Sequence, residues 1–84
     1  MTSLITFPCS FPIKVMGLNS EAFISAVMAI LHHHLEPGRF TQSAKPSSSG
    51  KYLSLTVTFT AQSQEQLNAI YEELNRHELV IMTL

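Results

Sequence analysis

The chain contains no aspartate, a single cysteine, and no uninterrupted apolar run longer than Ala26–Leu31. Each shortage removes a class of function. Without aspartate there is no Ser/His/Asp triad. Cys9 has no second thiol in the chain to pair with, which points to a reducing compartment. No histidine lies near it in sequence, and Lys14 falls on the opposite strand face by parity, so the thiol lacks an activating neighbour. The apolar run is far short of the ~20 residues that a membrane-crossing helix needs. The opening MTSLITFPCSFP has no basic stretch and is broken by Pro8 and Pro12, unlike a secretory leader. The expected location is the cytoplasm, with no membrane partner.

Charge is also scarce. Charged residues make up 13% of the chain and the net charge is −1, against about 25% charged residues in an average domain. Binding to nucleic acid by counterion release wants a clustered basic patch, and none is present. The few charges are unevenly spread: Lys14, Arg39, Lys45 and Lys51 face Glu21 and Glu36 before residue 52, whereas Arg76 faces Glu65, Glu72, Glu73 and Glu78 after it. What the chain does have is apolar material, 45% of its 84 residues, enough for one thin core in a chain that buries roughly 60–65% of its unfolded surface. A surface so poor in charge relies on Ser, Thr, Gln and Asn for solubility, or meets a partner.

The distribution of apolar residues predicts six elements. After an arm over residues 1–8, Phe11, Ile13 and Val15 alternate with Lys14 and Met16, a half-buried strand over Cys9–Gly17. Pro12 removes one ladder donor, so pairing near the strand's start must be one-sided or irregular. Asn19 is the expected N-cap of a helix running to Leu35. Glu21 lies in its first turn, Leu18 and Phe23 stand at hydrophobic-staple positions, and Phe23, Val27, Ile30, Leu31 and His34 lie along one face. Pro37-Gly38 ends that helix. Arg39–Lys45 reads as a short polar edge strand, and Pro46–Gly50 as a loop. Leu53, Leu55, Val57 and Phe59 then alternate with Ser54, Thr56, Thr58 and Thr60, the clearest strand in the chain. Ser63 and Gln66 form a capping box ahead of Leu67, Ile70, Tyr71 and Leu74. Leu79–Leu84 closes the chain as a strand that is apolar on both faces, requiring cover on both sides or a second subunit.

The order β-α-β-β-α-β predicts an α+β, two-layer ferredoxin-like sandwich over residues 9–84, with an antiparallel sheet ordered 4-1-3-2 and both helices on one face. The other face is then open and rich in hydroxyls. An RNA-recognition domain of this element order stacks bases on aromatics of its central strands. Here those strands offer Lys14, Met16, Ser54, Thr56 and Thr58 instead.

Three clusters invite a chemical role. His32, His33 and His34 are consecutive, and neighbouring helical residues point about 100° apart, so three in a row cannot ligate one ion. The familiar metal-binding spacing is i, i+4. His34 falls on the apolar face, while His32 and His33 are expected to face solvent near the helix C-terminus, and no metal is expected. Lys45-Pro-Ser-Ser-Ser-Gly50-Lys51 lacks the first glycine, the final Ser/Thr and the following helix of a phosphate loop. Its lysines and hydroxyls suit a weak anion or an acidic partner surface. Joined to the open face, they give a candidate interaction surface of Lys14, Lys45, Ser47, Ser48, Lys51, Ser54, Thr56 and Thr58.

The segments Phe11–Gly17 (FPIKVMG), Lys45–Tyr52 (KPSSSGKY), Tyr71–Leu74 (YEEL) and the terminal VIMTL together resemble the YbeD-like family of small bacterial proteins of uncharacterised function. The likeness covers residues 7–84. It implies the ferredoxin-like fold, a topological similarity to ACT domains, which sense amino acids, and a loose association with lipoate metabolism. By that similarity Gly17, Leu18 and Asn19 occupy the turn where ACT domains hold an effector at a subunit interface. The triple histidine and Leu35-Glu36 depart from the family's pattern at the end of the first helix. The expectation is a non-enzymatic regulatory or adaptor domain without cofactor, acting on a protein partner or as a homodimer. The alternative is a dimeric sensor of an amino acid or acyl ligand.

Overall fold

A computed structural model describes residues 6–84 of the chain. Its elements are β1 (Cys9–Leu18), α1 (Glu21–His34), β2 (Phe40–Pro46), β3 (Tyr52–Ala61), α2 (Gln64–Arg76) and β4 (Val80–Thr83). The four strands form one sheet in the order β2-β3-β1-β4, all neighbours antiparallel. This is the ferredoxin-like arrangement expected from the element order. Among the described residues no helix is long and apolar enough to cross a membrane.

The centre of the sheet is the β1–β3 ladder, in register from Cys9↔Ala61 to Leu18↔Tyr52. Period-two alternation sends Ile13 and Val15 of β1, and Leu53, Leu55, Val57, Phe59 and Ala61 of β3, to one face. There they meet Phe23, Val27, Ile30 and Leu31 of α1 and Leu67, Ile70 and Leu74 of α2. Among the described residues the core contains no buried polar or charged side chain, so it is held by apolar packing alone. Pro12 pairs with Thr58 on the β3 side, while on its other side the β4 ladder covers only Val15–Gly17 and the Lys14–Leu84 backbone pair. The one-sided pairing expected for a proline is what the sheet provides.

Several boundaries differ from the sequence expectation. Ser20, not Asn19, caps α1, its hydroxyl accepting from the Phe23 N–H at 3.1 Å. Asn19 is drawn elsewhere: its backbone N–H donates to the Lys51 carbonyl at 2.9 Å and its amide to the Gly50 carbonyl at 3.1 Å. These bonds tie the β1–α1 turn to the β2–β3 loop, where Gly50 adopts φ +77°. With the cap one residue later, Leu18 leaves the staple position and is exposed. At α2 the Ser63 hydroxyl accepts from Gln66 N–H as expected, but the Gln66 side chain reaches back to Gln62 N–H rather than to the cap itself. The arm expected over residues 1–8 lies, for residues 1–5, outside the described residues, and Phe7 packs against the core.

The last strand also departs from expectation. Gly17 pairs with Val80 and Met16 with Met82, so Ile81 is an extra residue opposite a single step of β1, a β-bulge. The bulge breaks the alternation. Val80 enters the core, while Ile81 and Met82 are 58% and 43% exposed and Leu84 is 62% exposed. One side of β4 is covered by the helices. The cover expected on its other side is not supplied within the described chain.

Gly17 sits at this bulge, and its need for glycine is steric. A Cβ there would stand 2.5 Å from the Phe23 ring, which is fully buried, and 2.6 Å from the Leu79 carbonyl oxygen. Gly17→Ala is therefore expected to destabilise by about 1–3 kcal/mol, the usual cost of forcing atoms into a packed core. At about 4–8 °C per kcal/mol for a domain of this size, calorimetry should show a clear fall in Tm. An unchanged Tm would mean that Phe23 can move aside.

Candidate functional site

The face of the sheet opposite the helices is built from cross-strand rows. Lys14 pairs with Thr56 and Thr56 with Ser43; Met16 pairs with Ser54 and Ser54 with Lys45; Pro12 pairs with Thr58 and Thr58 with Thr41. Because β1, β2 and β3 are in continuous register, parity alone brings these side chains onto one surface. Lys14, Lys45, Ser47 and Ser54 line a shallow depression of about 310 Å³ together with Met16, Tyr52 and Leu84.

The proposed surface residues thus divide. Lys14, Lys45, Ser47 and Ser54 are brought together, with Thr56 in the adjoining row. Thr58 lies toward the other end of the sheet, in a separate depression with Ser10 and Thr41. Ser48 and Lys51 belong to the exposed β2–β3 loop, where the Lys51 ammonium lies 5.5 Å from the centre of the Tyr52 ring. Ser47 also shapes the loop, its hydroxyl accepting from Tyr52 N–H at 3.1 Å. Tyr52 and Leu84 were not expected on this face, and Met16, expected on it, was not counted in the interaction surface. The parity of β1 places Met16 there; Leu84 arrives only because its N–H and carbonyl exchange hydrogen bonds with Lys14 at 2.8 and 3.1 Å.

Charge is segregated between the layers. All six glutamates lie on the helices or in the segments that follow them, and none on a strand. Among the described residues neither Lys14 nor Lys45 is paired with a carboxylate. The two cations stand on a floor of hydroxyl and thioether groups, a surface complementary to negative charge.

Gly17, Leu18 and Asn19 have a different character, and the first two are not a turn but the end of β1, paired with Leu53 and Tyr52. Gly17 is buried under Phe23 and Leu79, Leu18 points outward, and Asn19 spends its amide and backbone N–H on the neighbouring loop. Intramolecular packing and hydrogen bonding account for both Gly17 and Asn19.

The histidines separate into two environments. His32 stands edge-on to Phe40, ring centres 5.5 Å apart. His33 and His34 instead converge on Glu73 of α2: His33 Nδ1 lies 3.2 Å and His34 Nε2 2.6 Å from the same oxygen, Oε1. The angular argument holds for all three residues but not for two. One ring presents its near nitrogen and the next its far nitrogen, so both reach a carboxylate placed between them. His33 faces solvent as expected, but its Nδ1 also reaches Glu73. Glu73 is 39 and 40 residues away, and no local pattern signals it.

Hydrogen bonds from His34 first and His33 second hold the Glu73 carboxyl below its ordinary value of 4.5. A carboxyl whose folded pKa is depressed contributes stability above its unfolded pKa and loses that contribution as pH falls through the folded value. Urea unfolding of wild type and Glu73→Gln should accordingly show a stability gap above pH 4.5 that closes in more acid solution. A gap independent of pH in that range would show that the carboxylate charge contributes nothing.

Comparison with known proteins gives the chain its relatives. A family model described as "Protein of unknown function (DUF493)" matches residues 2–84. A UPF0250 protein of Yersinia pestis (strain Pestoides F) is 42% identical over 84 residues, covering 100% of this chain and 95% of the relative. A UPF0250 protein of Yersinia pseudotuberculosis (serotype O:1b) matches with the same identity and coverage. Among solved structures, protein HP0495 from H. pylori superposes with a TM-score of 0.80 at 21% identity, over 99% of this chain and 88% of its own. That last likeness concerns the fold. With a matching model over nearly its whole length and relatives of this identity, the chain belongs to the DUF493 (UPF0250) family, the YbeD-like small proteins whose function is unknown.

Proposed function

We propose that the chain is a non-enzymatic adaptor or regulatory domain that receives an acidic segment of a protein partner on its open sheet face. The observation that carries this reading is the pair Lys14 and Lys45, without carboxylate partners among the described residues, beside a mostly apolar depression on the layer that holds no glutamate. Such an arrangement steers a negatively charged partner and fixes its register, while Met16, Tyr52 and Leu84 supply apolar contact. The rows of Lys14, Met16, Ser54, Thr56 and Thr58 offer no aromatic stack for bases, which favours protein over nucleic acid. The double variant Lys14→Glu/Lys45→Glu, checked for folding by circular dichroism, should lose the partners retained by wild type in a quantitative pull-down. Retention on wild type should weaken as salt rises. An identical partner set on both baits would sink the proposal.

A second reading rests on β4. An edge strand exposing Ile81, Met82 and Leu84, with exposed Leu18 and Tyr52 nearby, suits contact with a second copy. An effector-sensing dimer of the ACT kind, with a small ligand near Gly17–Asn19, would be built on that edge. It predicts dimers by sedimentation velocity at tens of micromolar, and their loss in Ile81→Lys. A strict monomer at that concentration removes this reading and the sensor geometry with it. If dimers form, a thermal-shift screen with amino acids, lipoate and octanoate distinguishes a sensor from a simple homodimer.

A further inference from the structure

We propose that His33, His34 and Glu73 form a binding site for a divalent transition-metal ion, zinc(II) foremost, that fastens the end of α1 to α2. The site lies on the helical layer, away from the lysine-bearing sheet face, and is independent of the function proposed above.

The donor set comes first. Two imidazole nitrogens and a carboxylate oxygen are the ligands that borderline divalent ions select. Nδ1 of His33, Nε2 of His34 and a carboxylate oxygen of Glu73 all lie within 4.8 Å of one another. Tetrahedral zinc with bonds of roughly 2.0–2.2 Å sets its ligand atoms about 3.3–3.5 Å apart. The His33–Glu73 distance of 3.2 Å is already close to that, and the His34–Glu73 distance of 2.6 Å must open by less than about 1 Å. The two imidazole nitrogens, within 4.8 Å of each other, must draw together by about 1 Å. In the metal-free protein each of the two hydrogen bonds places a ring N–H against Glu73 Oε1, so an ion that takes both nitrogens displaces those protons.

Tautomers are consistent with this. If His33 ligates through Nδ1 and His34 through Nε2, each keeps its N–H on the opposite nitrogen, pointing away from the ion. His77 lines the same open depression as His33 and Glu73, yet it is not a further ligand. Its Nδ1 accepts from Leu79 N–H at 3.1 Å, which in the neutral ring places the proton on Nε2. Arg76 also borders the depression, and its guanidinium lies 3.6 Å from Glu72 rather than on Glu73.

Access and rigidity are graded across the site. The side chains of His33, Glu73 and His34 are 72%, 34% and 19% exposed. His34 and Glu73 thus give a partly sheltered base, and His33 closes over the ion from the solvent side. Three protein ligands leave the remaining coordination positions to water or to a partner's side chain. His32, held against Phe40, takes no part.

The test is isothermal titration of zinc(II) into the chain prepared without a polyhistidine tag, repeated with nickel(II) and copper(II). Binding of one zinc equivalent in the micromolar range is expected, with an upward thermal shift. His34→Ala and Glu73→Gln should each weaken binding at least about tenfold, or 1.4 kcal/mol, while His32→Ala and His77→Ala leave it within about twofold. Cobalt(II) should give visible d–d absorption that His34→Ala abolishes. Circular dichroism of each variant separates a lost ligand from a lost fold; if His34→Ala does not fold, the exposed His33→Ala carries the test. The proposal is overturned if none of the three ions binds, or if zinc binds the His33→Ala/Glu73→Gln variant as tightly as wild type.

Discussion

Gly17, the Phe23 ring and the Leu79 carbonyl meet at a point where no side-chain atom can be admitted, and much of the molecule is arranged around that contact. The ring anchors α1 against β1 and sits in the core with Val27, Ile30 and Leu31. The same crowding brings the chain before β4 tight against β1, where the ladder slips by one residue between Met16 and Gly17. That slip turns Ile81 outward and leaves apolar side chains along the sheet edge. A missing methyl group thus fixes both how the helix docks and what the edge presents to solvent.

The two layers carry opposite chemistry. One face of the sheet bears lysines, hydroxyls and thioethers; the helices and the segments that follow them bear every glutamate. The net charge of −1 conceals this, because a sum over the chain has no geometry. Asymmetry read along the sequence, basic before residue 52 and acidic after it, becomes asymmetry between the layers only in part. Glu21 and Glu36 belong to the basic half of the sequence yet lie with the helices.

Most of the fold was legible because its signals are local. Alternation in Leu53–Thr60, the Ser63 cap and the apolar face of α1 each specify an element without reference to the rest of the chain. The failures have tertiary causes. Asn19 and Ser20 are both good capping residues, and Asn19 was taken out of competition by carbonyls of a loop some thirty residues away. Six apolar-rich residues at the end of the chain could not announce a bulge that depends on Gly17. Lys14 and Ser54 were legible as one surface through strand parity and Lys45 through the loop motif beside it, whereas Leu84 joined them through backbone pairing alone. The meeting of His33 and His34 with Glu73 follows from helix–helix packing, which the spacing of the histidines does not encode.

The central ladder has a consequence for how the chain acquires its structure. Leu18 pairs with Tyr52 and Cys9 with Ala61, 34 and 52 residues further on, whereas β2 and β3 are adjacent in sequence and close through a short loop. Loop-closure entropy favours the β2–β3 hairpin as an early event and makes the insertion of β1 between β3 and β4 slow. During synthesis, β1 emerges first but has no strand to pair with until Tyr52 emerges, and its ladder is incomplete until Ala61 has left the ribosome. Phe11, Ile13 and Val15 are exposed to solvent or to a chaperone for that interval, so the strand at the heart of the finished sheet is also the segment most open to aggregation while the chain is being made.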